Sequence, residues 1–286
     1  MIKQPPTKKT WTKIIDHKST LLNFKLKETW AYRDLIYMFI RRDLVVQYKQ
    51  TILGPLWFII QPILTSVTFT IIFGRIANIP SNGIPHFLFY LAGTTCWGYF
   101  ATCLTTTSST FTANQGVFGK VYFPRITVPI SIVISNLIKF AIQFIIFISF
   151  YFYFILKGAQ ININFTLILL PLCIIIMAGL GLGFGMLFSA FTTKYRDLKF
   201  LLEFGVQLWM YATPIIYPLS NISEQHRWWL SLNPMTGVVM TFKYGFFSKD
   251  VFDINYLIYG FIFMIILLLI ATVTFNRVEK NFMDTV

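Results

Sequence analysis

The side chains that could carry chemistry are few and scattered. The three histidines, His17, His86 and His226, stand far apart, and the eleven Asp and Glu residues are dispersed, four of them in the N-terminal segment. Group transfer or hydrolysis needs such groups gathered around one reacting bond, so no catalytic set is expected. Cys96, Cys103 and Cys173 all fall inside apolar runs. They have neither metal-ligand spacing nor a disulfide framework, so buried structural thiols are expected and no metal site. No G-x-x-x-x-G-K-[ST] phosphate loop occurs, nor HExxH, nor GxSxG. The chain therefore has no route of that kind to ATP, and no cofactor is expected within it.

Two features remain. GLGLGFG, Gly179 to Gly185, lies in an apolar run and has the wrong spacing for a nucleotide loop. It holds two overlapping GxxxG pairs, Gly179/Gly183 and Gly181/Gly185, which predict close packing of a membrane helix. Lys139 is an ionisable residue within an apolar run, a functional candidate by default. At 1.5 Å per residue it stands roughly 20 Å up its helix, near the midplane. It either lines a polar conduit or snorkels from a shifted span. Glu203 stands only about 6 Å into its own run, so Lys199, four residues earlier, is its better partner.

The elements that would hold these residues are apolar. The composition is 56% hydrophobic and 12% charged, against about 45–50% and about 25% in soluble domains. Six runs approach the roughly 20 residues of a membrane helix: Leu56–Phe73, Phe87–Leu104, Ile126–Leu156, Phe165–Phe191, Phe200–Tyr217 and Tyr256–Phe275. The expected class is an all-α integral membrane protein with six spans. With the N-terminus inside, eighteen Lys and Arg fall on the inner side and five on the outer, so both ends are expected in the cytoplasm. The N-terminus lacks the apolar core of a signal peptide. The net charge of +13 follows this topology, and no nucleic-acid partner is expected.

Residues 1–30 read as a cytoplasmic tail and 31–50 as an amphipathic interface helix, with Asp34 as its N-cap and Arg41 and Arg42 near anionic lipid headgroups. Residues 51–286 form the membrane domain. Within it, 218–250 is a long outer connection. There Ser223 or Asn221 caps one short helix, and Asn233-Pro234 starts a second. Both are expected to be amphipathic and to dip together into the outer leaflet.

Five segments, in order, resemble the permease subunits of ABC-2 type exporters. They are RRDLVVQYKQTILGPLWFIIQP (Arg41–Pro62), GKVYFPRITVP (Gly119–Pro129), TTKYRDLKFLLEFGVQLWMYATPIIYP (Thr192–Pro218), LNPMTGVV (Leu232–Val239) and VEKNFMDTV (Val278–Val286). The likeness covers roughly residues 30 to 286 and is nearest to permeases for O-antigen, capsular polysaccharide or teichoic acid. It implies a multi-pass protein of the bacterial cytoplasmic (inner) membrane. It further implies a homodimer joined by two copies of a separate ATPase subunit, which holds ATP and Mg, and a lipid-linked glycan moved through a conduit at the dimer interface. Lys139 departs from the apolar or acidic residue expected there.

On that reading three sites are expected. An inner coupling segment, 111–125, docks on the ATPase through Asn114, Gln115, Val117, Phe118, Lys120, Val121 and Tyr122. A glycan path needs weak, repeated contacts from aromatic faces and hydroxyls. Phe58, Gln61, Thr65 and Phe69 of span one and Trp209, Tyr211, Thr213 and Tyr217 of span five can supply them. An outer gate holds Trp228 and Trp229. The rival readings are an exporter of a drug or small lipid, a lipid-linked sugar transferase, and a proton-coupled transporter. The transferase would need clustered acids or histidines, and the proton-coupled transporter several intramembrane charges.

Overall fold

The computed structural model describes residues 26–49, 52–121, 123–195 and 197–282. Most of the expected tail, together with Tyr122, lies outside the described residues. Among those residues the regular structure is helical throughout. A short α1 (Leu26–Ala31) precedes α2 (Arg33–Lys49), and α3 (Trp57–Phe69) continues as a π-helix over Thr70–Ile76. Next come α4 (His86–Ser108), α5 (Thr110–Ala113), α6 (Gln115–Phe118), α7 (Thr127–Leu156) and α8 (Leu170–Lys194). The chain ends with α9 (Leu198–Tyr211), α10 (Glu224–Ser231), α11 (Pro234–Phe247) and α12 (Ile254–Phe282). A lipid environment cannot hydrogen-bond the backbone, so an apolar chain must satisfy its own N–H and C=O groups, as a helix does.

Among the described residues, five helical runs are long and apolar enough to cross a bilayer: Gly54–Ile76, His86–Ser108, Thr127–Leu156, Phe165–Lys194 and Ile254–Glu279. The run expected as span five behaves differently. Its α9 has 14 residues, about 21 Å of helix, short of the roughly 30 Å hydrocarbon layer. Beyond Tyr211 the chain unwinds through Pro214. Proline offers no N–H and its ring clashes with the carbonyl four residues earlier. The Thr213 hydroxyl instead bonds back to the Trp209 carbonyl at 2.9 Å.

α4 is the hub, with α3, α7, α8 and α9 all packed against it. The glycine pairs of α8 divide between two neighbours. Gly181 and Gly185 face α4: a Cβ on Gly181 would lie 2.6 Å from that of Cys103. Gly179 and Gly183 face α12: a Cβ on Gly183 would lie 2.8 Å from Leu267 Cγ. Two overlapping repeats, offset by two residues, put small residues on opposite sides of one helix, so α8 is gripped by α4 and α12 together.

The outer pair departs from expectation. The Asn233 side chain accepts a bond from the Met235 N–H at 3.0 Å, so α11 starts where Asn-Pro predicts. But α11 is not amphipathic in its setting. All of its residues except Tyr244 are buried, against α4, α8 and α12. Its aromatics Phe242, Phe246 and Phe247 fill the space beside Phe147 of α7. α10 alone stays at the surface. Its N-cap position is Ser223, though without a side-chain capping bond.

Near the N-terminus, Asp34 sits inside the first turn of α2 rather than capping it. A carboxylate there still suits the positive end of the helix dipole.

Candidate functional site

The coupling segment is two single turns, α5 and α6, broken at Asn114. Asn114 is buried. Its amide donates to the Thr110 carbonyl at 3.0 Å, and its oxygen accepts from Arg42 Nη1 at 3.3 Å. Phe118 is buried between Phe111 and Phe123, with ring centroids at 5.9 and 5.7 Å. Gln115, Val117, Lys120 and Val121 are exposed. The expected docking set thus splits: Asn114 and Phe118 hold the segment in place, and the other four present a face to the surroundings.

This segment belongs to a second apolar core, separate from the main one. Its buried members are Phe39 of α2, Phe111, Phe118, Phe123, Ile126, Val128 and Ile132, with Met186 of α8 and Ala271 and Phe275 of α12. Phe111 stacks on Phe275 at 4.7 Å and Phe39 meets Phe123 at 5.8 Å. Arg125, only 8% exposed, donates to the Glu279 carbonyl at 2.8 Å and lies over the Phe118 ring at 5.4 Å. Burial pulls the guanidinium below its usual range, while the Glu279 charge acts the other way.

Of the adjacent arginines Arg41 and Arg42 of α2, Arg41 is exposed. Arg42 turns to protein groups: it pairs with Asp43 at 2.8 Å, lies over Phe39 at 4.7 Å and reaches Asn114. Lys139 is also near α2, within electrostatic range of Asp43. Its ammonium bonds Asn136 Oδ1 at 2.8 Å and sits 5.6 Å from the ring of Phe58, one residue into α3. α7 has 30 residues, about 45 Å, longer than the hydrocarbon layer. Lys139 lies beside the start of α3. Lys199 does pair with Glu203, at 3.9 Å.

The path residues also divide. Phe69 is buried, edge-on to Tyr90 and Phe73. Trp209 is locked in a cluster with Trp97, Phe100 and Phe184. Thr213 is buried and accepts a bond from Asn233 Nδ2 at 2.8 Å. These three pack the fold. Phe58 and Tyr217 are half-buried, while Gln61 and Tyr211 are exposed. Thr65 is half-buried and bonds back to the Gln61 carbonyl at 3.0 Å.

α3 and α9 reach the same face of α4. Ser66 meets Thr94 at 3.3 Å, and Trp209 meets Trp97, one turn further along. Each helix then turns a polar stripe outward. Gln61, Thr65 and Thr68 recur at helical spacing on α3, as do Glu203, Gln207 and Tyr211 on α9. Thr68 and Gln207 are not among the residues expected to line the path. Their signal was a polar residue in phase with Gln61 or Tyr211 inside an apolar run. Trp228 and Trp229 stack at 4.0 Å and are both exposed on α10.

Five apolar spans, a buried helix wedged among them and polar stripes on two short or broken helices define a multi-pass helical protein of transporter type. The chain belongs to the ABC-2 type transporter family, whose model matches residues 34–247. Among curated proteins it is similar to "O-antigen export system permease protein RfbA" of Klebsiella pneumoniae, 27% identical over 92% of this chain and 99% of that protein. A protein of the same name from Myxococcus xanthus is 25% identical over 91% of this chain and 98% of its own length.

Proposed function

We propose that the protein is the membrane subunit of an ABC exporter that moves lipid-linked polysaccharide of O-antigen type outward across the bacterial cytoplasmic membrane. The observation that carries this reading is the likeness to O-antigen export permeases along nearly the whole length of both chains. The polar stripes agree with it. A glycan chain in transit needs hydroxyl and amide partners that hold weakly and repeatedly, since tight binding would stall it.

In this reading α9 and the unwound segment after it make a sixth crossing. A broken helix is tolerated in a bilayer where protein satisfies its backbone, and Lys243 does so here for the Pro214 and Ile215 carbonyls. The excess of Lys and Arg on one side supports both ends in the cytoplasm. α2 lies at the inner interface. α10 and α11 form the outer gate, with Trp228 and Trp229 at its rim. The exposed stripes of α3 and α9 face a second copy of the chain, and the glycan passes between the copies. ATP and Mg bind two copies of a separate ATPase, which engages Gln115, Val117, Lys120 and Val121.

The test is deletion of the gene with analysis of retained glycan, alongside co-purification with an ABC-type ATPase from the same cells. Lipid-linked polysaccharide trapped inside the cell supports the reading. Unchanged surface polysaccharide with loss of drug or small-lipid efflux sinks it.

A further inference from the structure

The second apolar core joins parts of the chain that are distant in sequence. From the coupling segment, contacts run to two helices. Toward α2 they pass through Asn114 to Arg42 and through Phe123 to Phe39. Toward α12 they pass through Phe111 to Phe275 and from Arg125 to the carbonyl of Glu279. The two links differ in character. Arg42 is exposed, so its bond competes with water, whereas Arg125 is buried. A charge-assisted bond in a dry site is strong and directional. Arg125 also spans 154 residues of sequence to reach its acceptor. It binds a main-chain carbonyl near the end of α12 as described, so it grips the backbone of the helix itself.

α12 in turn holds α8 through Gly179 and Gly183, and touches the buried α11 where a Cβ on Gly237 would meet the Tyr256 carbonyl. A push on the coupling segment thus has an unbroken route of packed groups to the outer helix α11. Packed interiors move as bodies rather than deform smoothly.

We propose that Arg125 is a positioning residue for energy coupling: it ties the coupling segment to the C-terminal turns of α12, so that the two move as one body and carry the ATPase stroke along α12 toward α11. This rests on the exporter reading above. It assigns the stroke to α12, which lines no part of the glycan path proposed there.

The experiment uses the full chain with its ATPase, in cells lacking the native copy, and reads surface polysaccharide, ATPase co-purification and ATP turnover of the purified complex. Arg125→Gln is expected to co-purify normally and to keep at least half of the ATP turnover, while surface polysaccharide falls at least tenfold. Arg125→Lys, which keeps the charge, is expected to recover part of that loss. Arg125→Cys with Glu279→Cys, in a background with the three native cysteines replaced, is expected to lose export and regain it to within twofold when the pair is bridged by a short bis-maleimide.

Three results would overturn the proposal. One is Arg125→Gln export within twofold of the unaltered chain. Another is a parallel loss of assembly, turnover and export that the bridge does not repair, which would mark a purely structural residue. The third is a bridge that forms but blocks export, which would show that the segment and α12 must separate. An unaltered chain that neither binds an ATPase nor moves glycan would defeat the exporter reading, and the coupling role with it. Failure confined to the variants overturns the coupling role alone.

Discussion

The ammonium of Lys243, on α11, lies 2.8 Å from the main-chain carbonyl of Pro214 in the unwound segment beyond α9. A second bond runs to the Ile215 carbonyl at 2.9 Å, and the ring of Phe89 sits 3.5 Å from the same nitrogen. Where a helix unwinds, its carbonyls lose their partners. Inside a membrane domain no water replaces them. One long side chain, 2% exposed, answers for two of them and fixes α11 against the break.

Lys243→Met should therefore leave two buried carbonyls without partners, at about 1–3 kcal/mol each. The expected outcome is a lower melting midpoint of the detergent-solubilised protein and faster proteolysis between 212 and 217. A variant with an unchanged midpoint would show that the break is held without the lysine.

The glycine pairs of α8 should differ in tolerance. At Gly181 a methyl group would meet the Cys103 Cβ at 2.6 Å and the main-chain carbonyl of Phe100 at 3.2 Å. Neither can swing aside. At Gly183 the obstacle is the end of the Leu267 side chain, which can change rotamer. Gly181→Ala is expected to cost about 1–3 kcal/mol by overpacking and Gly183→Ala clearly less. Thermal unfolding of the two variants side by side checks this.

Residues expected to line the path should sort by exposure. Phe69→Ala is expected to lose about 3–5 kcal/mol of stability, as buried aromatics do, and to lower expression before it alters export. Thr68→Cys and Gln207→Cys should express normally. Their labelling by a small polar maleimide should drop when export is stalled with glycan in place. Equal labelling in stalled and resting cells would argue that these stripes face lipid.

Lys120→Glu reverses a charge on the exposed face of the coupling segment without touching the Asn114 and Phe118 contacts. Weaker ATPase binding is expected, by about tenfold, which is about 1.4 kcal/mol. Loss should be greatest at low ionic strength, where surface charges act furthest. Undiminished co-purification together with full export would remove Lys120 from the docking face.

Much of this arrangement was legible in the residues. Runs of apolar side chains mark the long helices because only a helix satisfies its own backbone in lipid. The Asn233-Pro234 cap, the Lys199–Glu203 pair and the GxxxG pairs depend on neighbours one to four residues away, and local spacing is enough to read them. The polar stripe of α3 was half read: Gln61 and Thr65 were noted, and Thr68 completes the turn.

What was not legible is depth and partnership. Apolar residues all round a short helix suit a core as well as a leaflet, so α11 read as a surface element until its neighbours closed around it. Lys243 counted as one more outer cation, and Arg125 as one more inner one. Lys139 reads as a lone charge in an apolar run, and only the packing of α3 against α7 sets Phe58 beside it. Composition and periodicity alone set the class of protein, its helices and their close-packed seams, because these follow from each residue's own affinity for lipid, water or its near neighbours in the chain. Tertiary structure alone decided which cations are buried, which carbonyls they serve and which helix the coupling segment grips, because those contacts join residues 28 and 154 positions apart whose meeting no local pattern encodes.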